Sequence, residues 1–167
     1  MIEYVKQMLV GEFEAALSML KHCIEACPED HWDDKIANGT YRWVTYHTLF
    51  FLDLYLSRSE ADFRPRDFHH RGGDEREDQL SEGLSKSETL AYVPLCREKM
   101  RESLAAETAE SLEGPSGFSW YPITRGEFHI NNIRHVQHHT AALSAHLRRV
   151  GIVTDRKTLP WVGSGWR

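Results

Sequence analysis

The chain has no apolar run long enough to span a bilayer. It has only three cysteines, Cys23, Cys27 and Cys96. An odd number without a framework of spacings excludes a disulfide scaffold and points to reduced, buried thiols inside a cell. Cys23 and Cys27, four apart, share a helix face rather than disulfide geometry. Positive charge is in deficit: 20 Lys and Arg stand against 25 Asp and Glu, a net charge of -5. No basic field is left to attract nucleic acid or an anionic membrane. The first residues carry an early acid, Glu3, and no uninterrupted apolar stretch, unlike a signal peptide. Internal repeats and low-complexity tracts are absent. With 41% apolar and 27% charged residues, the composition excludes a disordered, collagen-like or long coiled-coil chain. The expectation is one cytoplasmic domain over 1–167 with its own core and no nucleic-acid or membrane partner.

What the chain has in excess is histidine, ten in 167 residues. That directs attention to metal or acid–base chemistry.

Four segments show helical periodicity. The first runs from about Ile2 to Ala26, with Val5, Met8, Leu9, Ala16, Leu20, Cys23 and Cys27 as its stripe and Pro28 beyond it. The second, about Thr40 to Ser57, is apolar and aromatic almost all round, which implies burial on more than one side. The third runs from about Ser87 to Thr108. Ser85 and Glu88 have capping-box spacing ahead of it, and Pro94 inside it predicts a kink or a separate first turn. The fourth runs from about Thr124 to Val150. Arg148 and Arg149 complement its dipole, and Gly151 stops it. Between the second and third lies a long charged connection, about 58–86, with His69 and His70 read as solvent-exposed. Such a connection is long enough to return along the whole assembly and leave the second and third helices parallel. The tail after Leu159 is not helical, and Trp161 and Trp166 are expected to pack on the helices.

The fourth segment contains His135-Val136-Gln137-His138-His139. Histidines four apart are about 40° apart around a helix, so His135 and His139 project together and can reach one ion. By itself the spacing is weak, because chance alone gives about 0.6 such pairs in a chain with this much histidine. Its surroundings add weight. Phe128, Asn132, Leu143, His146 and Val150 share the face of His139, so the pair points inward. Two inward imidazoles are costly unless something satisfies their nitrogens, and a metal does so. His47 supplies a third imidazole from an aromatic stretch of the second segment, and facing helices are where helical proteins build metal sites. His138 flanks the pair. His146 lies two turns on, too far to share the ion.

Trp43 with His47, followed by the Arg134-His135-Val136-Gln137-His138-His139 run, resembles the DinB-like metalloenzyme family over essentially the whole chain. That resemblance implies an all-α four-helix bundle in up-down-down-up order, with a long connection between helices 2 and 3. It implies a homodimer and a divalent ion, nickel or zinc, on His47, His135 and His139 with open coordination positions. Thr140-Ala141-Ala142 departs from the glycine-glutamine pair that many relatives carry there.

Three imidazoles with an open position can activate a bound thiol or water and polarise a substrate oxygen. Two reactions on a small-molecule substrate follow: S-transfer from a low-molecular-weight thiol cosubstrate, or hydrolysis by metal-bound hydroxide. A non-catalytic metal-binding bundle is the remaining reading. His-Glu-x-x-His is absent, and Glu127 and Asp53 each point about 120° away from the histidine on their own helix. Glu12 reads as a solvated flanking acid. A bound thiolate needs no separate base, which favours thiol chemistry. Asn132 is a candidate supporting or substrate contact. Arg97 is a candidate for a substrate carboxylate or a solvated head on a packed stem.

Overall fold

The computed structural model describes residues 1–36, 39–71 and 83–153. Among them lie α1 (Ile2–Ala26), β1 (Lys35–Ile36), β2 (Gly39–Thr40), α2 (Tyr41–Tyr55), α3 (Lys86–Ala106), α4 (Ala109–Glu113) and α5 (Arg125–Arg149). The protein is mostly helical, with one small antiparallel sheet that pairs Lys35 with Thr40 and Ile36 with Gly39. None of the described helices is long and apolar enough to cross a membrane. The tail, with Trp161 and Trp166, lies outside the described residues.

The expected Ser85/Glu88 box is one of the side-chain caps that form on the long helices, and α1 has none. Thr40 Oγ1 accepts from the Trp43 amide at the head of α2, and Ser85/Glu88 and Thr124/Glu127 close capping boxes on α3 and α5. Gly151 adopts φ +79° one residue past the last turn of α5, the left-handed conformation that a helix stop requires. Pro94 lies inside α3 without splitting it. It is exposed, so solvent can satisfy the carbonyl that loses its amide partner. The elements additional to those expected include the β1–β2 hairpin and the five-residue α4. Both are too short to generate a periodic pattern. In the connection after α4, Gly117 holds φ +88° against the Arg58 carbonyl, where a Cβ would not fit.

The helices pack as α1 against α3 and α5, and α2 against α3 and α5. Specific contacts set their directions. Along α1 and α5, Phe13 meets His129, Met19 meets Gln137 and Cys23 meets Thr140, so the two run the same way. Along α2 and α3, Leu49 meets Cys96, Asp53 meets Lys99 and Leu56 meets Ser103, again in the same sense. α1 opposes α3: Lys6 reaches the Ala105 carbonyl, Glu14 pairs with Arg97, and Lys86 reaches the Cys27 carbonyl. Leu17, Leu20, Ile24, Leu49, Leu52, Met100 and Leu143 are among the residues of the continuous core between them. Each such side chain contributes about 1.5–3 kcal/mol by leaving water. Met8, expected in the α1 stripe, is instead 48% exposed. All three cysteines are free and buried, as expected.

The long connection is tied down by a buried carboxylate. Asp53, 1% exposed, accepts from Lys99 Nζ at 2.5 Å, Arg66 Nε at 2.9 Å and the Tyr92 hydroxyl at 2.8 Å. The network has a direction. The Arg66 amide donates to His69 Nδ1, and His69 Nε2–H donates to the Tyr92 oxygen, whose own proton goes to Asp53. His69 is therefore buried rather than exposed, because it bridges the connection to α3. The side chain of His70 lies outside the description. Burial pushes the Asp53 pKa up, but hydrogen bonds and charge from Lys99, Arg66 and Tyr92 outweigh it and hold the carboxylate below its ordinary range.

A second carboxylate joins the end of α3 to the start of α5. Glu107 accepts from Arg125 Nε and His129 Nε2, both at 2.9 Å, and from Ser111. Burial raises its pKa, while hydrogen bonds from His129, Ser111 and Arg125 dominate and bring it down to about 2. A folded pKa below the unfolded value means stability that is complete above about pH 4.5 and lost as pH falls toward 2. Glu107→Gln should therefore lower the urea midpoint at pH 7 and flatten its decline between pH 4.5 and 2.5. An unchanged acid limb would exclude Glu107 as its source. Asp53→Ala should cost about 3 kcal/mol by urea denaturation, the low end for a broken buried pair because both cations reach solvent.

Candidate metal centre

On α2, Trp43, His47, Phe51 and Tyr55 recur every four residues and form one stripe, since i and i+4 side chains stack on a helix face. Their rings touch in succession, at centroid separations of 4.7 Å, 4.7 Å and 5.2 Å. On α5, Phe128, Asn132, His135 and His139 form the facing stripe. The helices oppose each other here, so Tyr55 meets Phe128 at one end and His47 meets His139 at the other. The Thr40 cap fixes where α2 begins and the Thr124 box where α5 begins. Together they place the histidines at the same level.

The three expected ligands come together. His47, His135 and His139 each offer a ring nitrogen within 4.8 Å of the others, and together could hold a metal ion. Ring centroids are 5.3 Å (His47–His135), 4.7 Å (His47–His139) and 4.6 Å (His135–His139) apart. His47 Nε2 and His135 Nε2 face each other at 3.4 Å, past the usual length of a hydrogen bond. Two nitrogens bound tetrahedrally to one ion at about 2.0–2.1 Å sit about 3.3–3.4 Å apart, so the spacing suits a shared ion better than a shared proton. All three side chains are half-buried, leaving one side of the cluster open.

The two α5 imidazoles are kept neutral. Burial pushes the His135 pKa down to about 3, with smaller contributions from His139, His47 and His138. Burial and the charges of His47 and His138 bring His139 to about 4. Lone pairs are therefore available at neutral pH, as a metal ligand requires. No carboxylate contributes to either shift. His135 Nδ1 is buried without a hydrogen-bond partner among the described residues. One turn earlier, Asn132 is fully buried. Its Nδ2 reaches the Leu52 carbonyl at 3.4 Å, and its Oδ1 has no partner among the described residues. An ion on His135 Nε2 leaves a proton on Nδ1, and Asn132 Oδ1 is an acceptor of the kind such a proton seeks.

Residues 12–143 match the DinB superfamily. The chain belongs to the DinB superfamily. No curated protein and no solved structure matches it. All three histidines of this DinB superfamily member fall within the matched stretch.

The other candidates lie elsewhere. His138 is exposed at the edge of the cluster, its ring 5.0 Å from His139. Glu12 is exposed, as expected of a solvated acid. Arg97 pairs with Glu14 at 2.7 Å and is not offered to a substrate at this centre. Asp53 faces α3. The Asp53 and Glu107 networks escape a sequence reading, although Asp53 leaves a trace as the lone acid in the apolar run from Trp43 to Ser57.

His135→Ala/His139→Ala should lose one equivalent of bound nickel or zinc relative to the parent while keeping the helical circular dichroism. Elemental mass spectrometry after desalting reads the difference. Equal metal content in both would remove these two residues from the ligand set.

Proposed function

We propose that this DinB superfamily protein is a metal-dependent enzyme in which His47, His135 and His139 hold a divalent ion, nickel or zinc, and a low-molecular-weight thiol is activated there for S-transfer to a small molecule. The same reading takes the four long helices as an up-down-down-up bundle. The shared direction of α1 with α5 and of α2 with α3 supports it.

The observation that carries the choice of reaction is the missing carboxylate. Hydrolysis through bound water often uses a carboxylate beside the ion as general base. Among the described residues, Asp53 is committed to Lys99 and Arg66, Glu107 to Arg125 and His129, and Glu12 and Glu127 are exposed. A bound divalent ion would lower the pKa of a thiol on it, so that the thiolate forms at neutral pH without a protein base.

The chain's own groups supply position and dryness. Trp43 and Phe51 flank the His47 ring on either side and set its plane. Phe51 and Tyr55 face His135 at 5.7 Å and 6.0 Å and exclude water from that flank. Tyr55 also meets Tyr121 at 5.7 Å, and Tyr121 lines a cleft of about 710 Å³ with Phe118, Pro122 and Ile123. Tyr55, packed between Tyr121 and His135, joins the wall of that cleft to the flank of the histidines.

Cobalt-substituted protein should develop a thiolate-to-metal charge-transfer band when a small thiol is added, and His139→Ala should abolish it. Absence of the band together with turnover of activated esters would replace S-transfer with hydrolysis. The apolar core implies that chelation leaves the helical spectrum intact. Unfolding on chelation would make the ion structural rather than catalytic.

A further inference from the structure

Outside the three-histidine centre, the described residues hold one other convergence of metal-binding side chains. His31 and Asp34 lie three apart in the tight turn between α1 and β1, and His146 lies in the last turns of α5. His31 Nδ1 and His146 Nε2 approach the same oxygen, Asp34 Oδ2, at 2.7 Å and 2.9 Å. The three donor atoms lie within 4.8 Å of one another. We propose that His31, Asp34 and His146 form a second divalent-cation site, of zinc type, that clips the α1–α2 connection to the end of α5.

The donor set supports this assignment. Two imidazoles and a carboxylate, with a further position open, are a recurrent zinc environment, and a close pair on a turn with a third ligand from a packed helix is a common way to build one. Asp34 adds a negative charge that the three-histidine centre lacks. Glu29, Asp30 and Asp33 lie in the same turn, and among the described residues only Asp33 of the three pairs with a cation, Arg42, at 2.7 Å and 2.8 Å. Side-chain exposures of 28% for His31 and 33% for Asp34 leave the site open to an ion, whereas the His146 side chain is 3% exposed.

The donors are also held in place. The Asp34 amide donates to the His31 carbonyl and the Tyr41 amide to the Asp34 carbonyl. Trp32, buried between them, anchors the turn by donating from its indole to the Leu84 carbonyl at 3.1 Å. His146 packs on the Tyr41 ring at 5.8 Å. Ligands on such a fixed frame lose little freedom when they bind.

One group opposes the ion. Arg149 Nη2 donates to His146 Nδ1 at 2.9 Å, which places the imidazole proton on Nε2, facing Asp34. Binding at Nε2 moves that proton to Nδ1 and displaces Arg149, an exposed side chain, into water. At His31 the proton moves from Nδ1 to the outward Nε2. No net proton is released by either tautomer change, so the competitor to be removed is the Arg149 guanidinium.

The test is zinc stoichiometry of the full chain after chelator treatment, read by titration calorimetry and by elemental mass spectrometry. The parent should bind two equivalents. His31→Ala/Asp34→Asn should bind one, His135→Ala/His139→Ala one, and the combined variant none. Arg149→Gln should tighten the second site about fivefold, the effect of removing one exposed positive charge beside a cation, and leave the first unchanged. That arm keeps the proposal testable if the His31/Asp34 variant folds poorly. A His31→Ala/Asp34→Asn protein with the parent's stoichiometry and helical spectrum would overturn the site, as would an Arg149→Gln protein with unaltered affinities. The two centres fail separately. A single equivalent lost only with His135 and His139 removes the second site, and one lost only with His31 and Asp34 removes the first.

Discussion

The carboxylate of Asp53 is closed off from water on α2, and its donors come from α3 and from the long connection. An ion so placed is tolerated only while its partners stay in reach, since losing them leaves a bare charge in a poorly polarisable interior. The arrangement therefore fixes how α2 is rotated. With Asp53 turned toward Lys99 and Tyr92, the opposite stripe, Trp43, His47, Phe51 and Tyr55, is turned toward α5. His47 does not need to be steered by its own interactions. It faces the α5 histidines because another face of the same helix is electrostatically committed.

The same logic separates the ionised regions from the neutral one. Asp53 and Glu107 remain charged under burial because each gathers several donors. His135 and His139 gather no counter-charge, and burial leaves them neutral. The neutral His135 and His139 rings thus sit apart from the two charged anchors. That is a sound division for a site meant to receive a cation, because a fixed cation nearby would repel it.

The parts of this arrangement that repeat were legible in the sequence. The four long helices announced themselves through 3.6-residue periodicity, and the third also through its Ser85/Glu88 box, with boundaries within two residues of those observed. His135 and His139 were legible because one helix determines their relation, and His47 because its neighbours are apolar. What escaped depended on contacts between distant segments. His69 sits in a charged stretch that reads as solvated, and its burial depends on Tyr46, Phe50 and Tyr92, which lie elsewhere in the chain. The His31–Asp34–His146 convergence needs the α1–α2 turn placed against the end of α5, and no local pattern encodes that. Met8 shows the reverse case: its spacing fits the stripe, but it lies on the first turns of α1 and is 48% exposed.

The shared direction of α2 with α3 and of α1 with α5 bears on the order of assembly. Helices that run the same way cannot be joined by a tight turn, so few of the decisive contacts are local. His47 and His135 are 88 residues apart in the chain, and Cys23 and Thr140 are 117 apart. Closing an 88-residue loop costs about 1.3 kcal/mol more than closing one of 20. A mostly helical protein of this kind should fold more slowly than its helix content suggests. The three imidazoles meet only when α5 docks, so a nascent chain offers no complete ligand set until synthesis has passed His139 and that helix has packed.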